Sequence, residues 1–219
     1  MASEDKTPRR RYDASRRQAA AAQRRQAVVA AARATFVQYG WSGTQIRQIA
    51  RAAGVSQKLV EAVFGTKAAL LQAAVDYAIR GDIEPTPMPQ REPIQEMERA
   101  SDAATMLRLH AHHLRLINPR SARLAAVVEQ AAPTDTSVAS LWQQMTDNRA
   151  YAVTWATQTY LKKPGRRRGL RRGQITNTFW VALDWGTYRT LNTQARLDDN
   201  GYETWLNDYY RALLLRADV

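Results

Sequence analysis

IRQIARAAGVSQKLVEAVF, residues 46–64, has the spacing of two short helices joined by a tight turn. Ala50 is small enough to let the second helix cross the first, and Gly54 tolerates the positive φ that a tight turn requires. Val60, ten residues after Ala50, faces back onto the first helix. A small residue, a glycine and an aliphatic residue at this spacing are typical of the helix-turn-helix, whose second helix enters the major groove of DNA. An ordinary αα-hairpin with a glycine turn is the alternative.

Positive charge is concentrated in and before this motif. The net charge is +12, and the first 80 residues carry +9 of it, from fourteen Lys and Arg against five Asp and Glu. The rest of the chain has one basic run, Lys162 to Arg172, with seven cations and no acid. This asymmetry favours an N-terminal piece that binds nucleic acid, attached to a body of a different kind. The alternative is a solubilising tail on a basic protein.

The composition excludes several classes of protein. There is no Cys, so disulfides and thiolate metal sites are excluded. No apolar run approaches the roughly 20 residues of a membrane span, and no apolar segment of a secretory signal follows the basic N-terminus. With 45% hydrophobic and 24% charged residues, the sequence predicts an ordinary soluble globular protein, cytoplasmic by default.

Helical patterns fill the chain on both sides of one linker. From about Ser15 an Ala-, Gln- and Arg-rich stretch favours a helix that Gly40 ends, and Thr44, Ser56 and Thr66 are placed to cap the next three. Residues 81–93 contain Gly81 and four prolines, which forbid a regular helix. Five further helices are predicted near 94–118, 119–132, 135–161, 174–194 and 199–216. The sequence therefore predicts an all-α fold of roughly nine helices, a small N-terminal trio and a larger C-terminal bundle.

Both ends of the chain resemble a known family. Residues 24–71 are similar to the N-terminal domain of TetR-family transcriptional repressors, with ATFVQYGWSGT, IRQIARAAGVS and VFGTKAALL in order. Residues 179–215, FWVALDWGTYRTLNTQARLDDNGYETWLNDYYRALLL, resemble the last two helices of one TetR subgroup. The resemblance implies a helix-turn-helix DNA-binding domain at 15–66 and a ligand-binding and dimerisation domain at 67–219. The polar, charged composition of residues 1–14 predicts a disordered basic arm before them.

The resemblance assigns DNA contacts to particular residues. Thr44, at the start of the second helix, would touch a phosphate through its hydroxyl, and Lys67 would hold another. Gln57 and Lys58 would reach base edges from the third helix, Gln57 to adenine and Lys58 to guanine or a phosphate. The full set of predicted DNA-binding residues is Arg24, Arg25, Thr44, Gln45, Arg47, Ser56, Gln57, Lys58, Glu61 and Lys67.

Glu61 departs from the family pattern, because many members carry Tyr there and His or Tyr in place of Val63. A carboxylate is repelled by phosphate, yet it can accept a hydrogen bond from cytosine N4, pair with Lys58 or Arg47, or point to solvent. The arginines of the arm, Arg9–Arg11, Arg16, Arg17, Arg24 and Arg25, are the predicted replacement for the missing aromatics. They would enter an adjacent minor groove or follow the backbone, with a solubility tail as the alternative.

A homodimer is predicted because one helix-turn-helix covers only half of a palindromic site. By resemblance, the last two helices of each subunit form the interface. The large apolar residues available for it are Trp180, Trp185, Tyr188, Trp205 and Tyr209. For each of them, a place in the core of its own subunit is the alternative.

A small-molecule pocket is predicted in the C-terminal bundle, because family members are usually released from DNA by a ligand bound there. Gln144, Asn148, Tyr151 and Trp155 lie close to one stripe of a helix, where amides interleaved with aromatics suit a pocket wall. His110 and His113 are predicted pocket or core residues, and no metal is expected because no cysteine or nearby carboxylate completes a ligand set. The run KKPGRRRGLRRG, residues 162–173, predicts a solvated loop, with a phosphate or an acidic partner as the alternative.

The sequence therefore predicts a homodimeric transcriptional repressor of the TetR kind. Its partners would be double-stranded DNA with a palindromic operator, a second copy of itself and an unidentified small-molecule effector, without a cofactor or a membrane. A basic architectural nucleic-acid-binding protein with little sequence preference is the second hypothesis. An enzyme is the third, and no nucleophile with its base, phosphate-binding glycine loop or dinucleotide motif supports it.

Overall fold

The computed structural model describes residues 8–216, with side chains from Arg16 onward. Ten α-helices and one 3-10 turn, Met88–Gln90, occupy this part of the chain. The helices are α1 (Pro8–Gly43), α2 (Ile46–Ala52), α3 (Gln57–Phe64), α4 (Lys67–Arg80), α5 (Glu92–Arg99), α6 (Ala103–Ala131), α7 (Thr136–Leu161), α8 (Arg172–Ala182), α9 (Trp185–Thr193) and α10 (Asp199–Leu214). The prediction of an all-α fold is confirmed.

Two compact units divide the chain after Ala74, within α4. The sequence predicts a boundary earlier, between residues 66 and 67. The first unit is formed by α1 to α3 and the first half of α4 around a small apolar core. Its most buried large side chains are Phe36, Ile49, Val60, Leu70 and Leu71.

The first helix is longer than predicted. It begins at Pro8 instead of about Ser15, so residues 8–14 of the predicted disordered arm form its first turns, and residues 1–7 lie outside the described part of the chain. Gly40 has φ of 66° and interrupts the helix, as the sequence predicted, and one more turn follows to Gly43. From Arg16 to Ala27 almost every side chain is exposed, because this part of α1 precedes the first core residue, Val28.

Capping side chains set the starts of the short helices. Ser56 Oγ accepts a hydrogen bond from Leu59 N at 3.2 Å, and Thr66 Oγ1 accepts one from Ala69 N, which confirms both predicted caps. Thr44 does not cap α2, so that prediction was wrong. Gln45 occupies the cap position instead, and its backbone N–H donates to Gln48 Oε1 at 2.7 Å.

The second unit is a helical bundle in which α6 contacts α5, α7, α9 and α10. One predicted helix boundary in this unit was wrong, and two breaks, within the helices expected at 94–118 and 174–194, were not predicted. Pro119 lies inside α6 instead of starting a helix, since burial of neighbours such as Asn118 and Ala122 holds the helix together across the missing hydrogen bond. Asp102 and Asp184 each accept a backbone N–H three residues on, and these caps separate α5 from α6 and α8 from α9.

None of the helices in residues 8–216 combines the length and the apolar character that a membrane crossing needs.

Candidate nucleic-acid interface and ligand cavity

The turn between α2 and α3 has the predicted helix-turn-helix geometry. Ala50 is buried and its carbonyl accepts a hydrogen bond from Val55 N at 3.0 Å. Gly54 has φ of 67°, and Val60 is 1% exposed in the core of the unit. The three positions that define the pattern therefore have the roles that the sequence assigned to them, and the opposite face of α3 is left to solvent.

The exposed face of α3 carries the residues predicted to reach base edges. Gln57, Lys58 and Glu61 are all exposed, and so is Ser56 at the helix cap. Arg47 and Gln45, on and just before α2, are exposed as well. The first unit thus presents polar and charged side chains at the N-terminal end of a short helix, which is how helix-turn-helix proteins offer side chains to the major groove.

Glu61 has a partner that the sequence analysis did not consider. Gln57 Nε2 donates a hydrogen bond to Glu61 Oε1 at 2.7 Å, one helical turn away. Neither Lys58 nor Arg47 makes this contact. The amide of Gln57 is therefore oriented by the carboxylate, with its oxygen and its second N–H left for another group.

Thr44 faces the interior and is 1% exposed. Its hydroxyl donates to Gly40 O at 2.7 Å and lies 3.3 Å from Thr35 O. This corrects the predicted position of the side chain, because the buried hydroxyl stabilises the break at Gly40 instead of facing a phosphate.

Lys67 also has partners inside the first unit. Its Nζ donates to Trp41 O at 2.7 Å and to Thr44 O at 3.1 Å, and it lies 4.0 Å from the centre of the Trp41 ring. These contacts join the first residue of α4 to the last turn of α1, a structural role that the sequence did not reveal. The phosphate contact of Lys67 stays a prediction.

Arg24 and Arg25 lie on the exposed part of α1. The guanidinium of Arg25 sits 4.9 Å from the centre of the Phe64 ring, the last residue of α3. Arg25 therefore links the exposed part of α1 to the candidate DNA-reading helix.

The second unit encloses a cavity of about 540 Å³, and every residue that lines it belongs to that unit. All six residues predicted for a pocket lie on its wall: His110, His113, Gln144, Asn148, Tyr151 and Trp155. Helix α4 also contributes to the wall through Val75, Asp76 and Ile79, which were not predicted. The sequence signal for this contribution is Asp76, an acid beside the apolar residues of α4.

Burial keeps both cavity histidines uncharged at neutral pH. Desolvation lowers the pKa of His110 to about 3, with a smaller effect from His113. Desolvation, aided by Arg120 and His112, lowers the pKa of His113 to about 4. His110 Nδ1 is 2.6 Å from Tyr210 Oη, a contact that fixes the ring. Within the described residues, no group of three or more His, Cys, Asp or Glu is arranged to hold a metal ion.

The aromatic residues predicted for a subunit interface fall into two groups. Tyr188 is 6% exposed, stacks edge-on against Tyr202 and donates to Asp199 Oδ1, so it belongs to the core of its own unit. Trp185 lines the cavity and donates its indole N–H to Ser121 Oγ at 3.2 Å. Trp180, Trp205 and Tyr209 are partly exposed. The apolar side chains most exposed on α8 and α10 are Val181 and Leu213.

The basic run at 162–173 is partly structural. Lys163 is buried, and its Nζ donates at 2.6 Å to both Glu98 O and Ala100 O. Arg166 and Arg167 donate to Lys163 O and Ala212 O, near the ends of α7 and α10. The remaining cations of the run are exposed. The prediction of a solvated loop was wrong for Lys163, because unpaired carbonyls near helix ends provide acceptors for it.

Comparisons with known proteins agree with this geometry. Residues 28–74 match the model of the bacterial regulatory proteins of the tetR family. No curated protein matches the sequence.

Solved structures of similar fold cover most of the chain. A TetR family transcription regulator from Marinobacter aquaeolei is 20% identical with a TM-score of 0.59, over 91% of this chain and 100% of that one. A TetR transcription regulator from Haloarcula marismortui is 15% identical with a TM-score of 0.59, over 87% and 98%. A protein assigned as a transcriptional regulator from Saccharomonospora viridis, solved in complex with choline, is 15% identical with a TM-score of 0.65, over 88% and 97%.

Proposed function

We infer that this protein is a homodimeric repressor released from its operator by a small molecule. The support is its resemblance to the TetR family and the helix-turn-helix domain in its N-terminal unit. The family supports the coarser part, a DNA-binding transcriptional regulator. Repression, the homodimer and release by a ligand are our proposals. A regulator of this kind acts where the DNA is, so we propose that it is cytoplasmic. We also propose that it has no catalytic activity.

The exposed face of α3 is the observation that carries the proposal. Gln57 and Lys58 stand at the N-terminal end of a helix whose other face is fixed to the core through Val60. Helix-turn-helix proteins read bases from this end of the second helix. The amide of Gln57, held by Glu61, keeps the atoms that pair with adenine N6 and N7.

The second unit supports the homodimer and the ligand. Val181 and Leu213 are exposed on α8 and α10, helices that contact each other, and an apolar face of this kind suits the centre of an interface. The cavity of about 540 Å³ lies within the size range of small-molecule sites. The Saccharomonospora viridis protein was solved with choline, so a protein of this fold has held a small molecule.

Selection of bound sequences from random duplex DNA at near-physiological salt tests the proposal. The full-length protein should enrich a palindrome, and Gln57→Ala should relax the preference at one base pair of each half-site. Gln158→Ala, an exposed position of α7, is the matched control and should enrich the same palindrome. Enrichment of no sequence would contradict a specific repressor and favour the basic architectural protein.

A further inference from the structure

The charged side chains on the cavity wall are paired with each other or with a neighbour. Arg149 Nη1 lies 2.9 Å from Asp184 Oδ1, and its guanidinium sits 4.9 Å from the centre of the Trp180 ring. Asp76 and Arg80, one turn apart on α4, form a looser pair at 4.0 Å, and burial raises the pKa of the Asp76 carboxyl although Arg80 acts to lower it. A charged ligand in an apolar cavity needs an opposite charge that is free to meet it, because burying an unpaired ion costs several kcal/mol. Arg149 Nε is buried without a hydrogen-bond partner, but each charged group described on the wall lies beside an opposite charge, so the wall has no surplus charge to offer a ligand.

The remaining polar groups of the wall are neutral hydrogen-bonding groups. His110 and His113 are uncharged at neutral pH because they are buried. Tyr210 occupies Nδ1 of His110, so Nε2 is the ring nitrogen left for a ligand. Asn118 donates Nδ2 to Tyr202 Oη at 2.7 Å, which leaves its amide oxygen as an acceptor. These groups suit hydroxyl, carbonyl or amide groups.

Apolar side chains form the rest of the wall. Ile94, Met97 and Leu114 are buried core residues that also line the cavity, and Met145 lines it from α7. Unbranched methionines adapt to ligands of irregular outline. Burial of hydrocarbon against an apolar surface of this kind is favourable.

We propose that the cavity binds an uncharged, mainly apolar small molecule that carries a hydroxyl or carbonyl group. The proposal rests on the proposed function for its site and goes beyond it by excluding two ligand classes, carboxylic acids and amines. A carboxylate would have to take Arg149 away from Asp184. A cation such as choline would have to compete with Arg80 for Asp76, the one carboxylate on the described wall.

Calorimetric titration of the full-length protein, without DNA, tests the ligand class. The probes are 1-decanol, decanoate and decylamine, which share one chain and differ in the charge of the end group, with choline as a small cation. We expect decanol to bind at least about tenfold more tightly than any charged probe, a difference of about 1.4 kcal/mol. Tighter or equal binding of decanoate, decylamine or choline would overturn the proposal, and so would the absence of binding by all four.

A single isosteric substitution provides a second, independent test. Asn148→Asp adds an unpaired carboxylate to the cavity wall and should shift the preference from decanol toward decylamine by about tenfold. Thr154→Asp adds the same charge at an exposed position of α7 outside the cavity and should leave the preference unchanged. Equal behaviour of the two variants would overturn the assignment of the site. Because DNA is absent, failure here is distinguishable from failure of the repressor proposal, which the sequence selection decides.

Discussion

Glu61 is an acid on the face that we propose to meet DNA, and its hydrogen bond to Gln57 suggests why it is compatible with that face. The carboxylate is repelled by phosphates, but it fixes the rotation of the amide that we propose to pair with adenine. We therefore expect Glu61 to lower the overall affinity for DNA and to sharpen the base preference.

Two substitutions at Glu61 separate these effects. Glu61→Gln removes the charge and keeps an acceptor for Gln57, so it should tighten binding to the selected operator and leave its sequence unchanged. Glu61→Ala releases Gln57, so it should relax the preference at the base pair that Gln57 reads. Sequence selection and fluorescence anisotropy measure both, and an unaltered preference in Glu61→Ala would contradict the positioning role.

Lys67 shows how a motif residue can have a structural role. Its ammonium joins the end of α1 to the start of α4 through two carbonyls and the Trp41 ring. Lys67→Met keeps the stem and removes these interactions, so it should lower the free energy of unfolding by about 1–3 kcal/mol. Urea unfolding measures it, with Lys58→Met on the exposed face of α3 as control. Unchanged stability combined with a weaker salt dependence of DNA binding would contradict the structural role and support the predicted phosphate contact of Lys67.

The cavity histidines make stability depend on pH. The folded-state pKa values, about 3 for His110 and about 4 for His113, lie below the ordinary 6.5. At a pH between these values and 6.5, the unfolded chain therefore binds protons that the folded chain does not bind. Stability should therefore be full above pH 6.5 and fall as pH drops toward 4, by about 1.4 kcal/mol per unit for each histidine.

The contribution of one histidine can be isolated. His113→Gln should reduce the loss of stability between pH 6.5 and 4.5 to about half, with His110 responsible for the remainder, as measured by urea unfolding at several pH values. Leu116→Gln, at an exposed position of α6, is the control and should retain the loss. A slope that is the same in both variants would contradict the neutral buried state of His113.

At the scale of elements, the exposed part of α1 is a basic helix instead of a flexible arm from residue 8 onward. Arg17 and Arg24 are seven residues apart, two turns of helix, and therefore lie on nearly the same side.

Replacing Arg16, Arg17 and Arg24 by Ala preserves the helix and should lower the slope of log Kd against log salt by about 0.9 for each phosphate that is no longer neutralised. Lys162, Arg171 and Arg172, replaced together, are the control set and should leave the slope unchanged.

The helical form of this segment can be tested apart from its charge. Ala20→Pro breaks the helix and keeps every arginine. If the segment binds along DNA as a helix, Ala20→Pro should weaken binding at constant salt. Affinity equal to that of the unsubstituted protein would show that a flexible arm suffices.

Element types were predictable from the sequence, but several helix ends were not. Apolar periodicity and glycines predicted the N-terminal helices around Gly54, because the residues that define these helices are close together in the sequence. Pro119 was misplaced because tertiary burial on both sides of it outweighs the single hydrogen bond it removes. The caps at Asp102 and Asp184 resemble many other aspartates in sequence, and only the structure shows which backbone N–H each accepts.

At the scale of the whole molecule, the cavity was predictable only in part. The stripe on α7 and the histidines on α6 follow helical spacing within one element. The contribution of Val75, Asp76 and Ile79 arises because distant segments pack together, and no spacing within the chain encodes that. For the same reason, Tyr188 could not be assigned to the core before its neighbour Tyr202 was known.

The proposed homodimer makes a prediction at this scale. Val181→Asp combined with Leu213→Asp places charges on the exposed apolar face of α8 and α10 and should convert a dimer into a monomer in sedimentation experiments. Leu116→Asp, an exposed apolar position on α6, is the matched control and should remain dimeric. A double variant that still sediments as a dimer would place the interface elsewhere.

Two of the six tryptophans, Trp155 and Trp185, line the cavity. Their indole N–H groups are occupied by Glu98 and Ser121, at 2.9 and 3.2 Å, which fixes both rings in place. A molecule entering the cavity would displace solvent beside these chromophores and change their emission. The protein thus carries its own optical reporter, and a compound library can be screened for the proposed effector without a dye or a label.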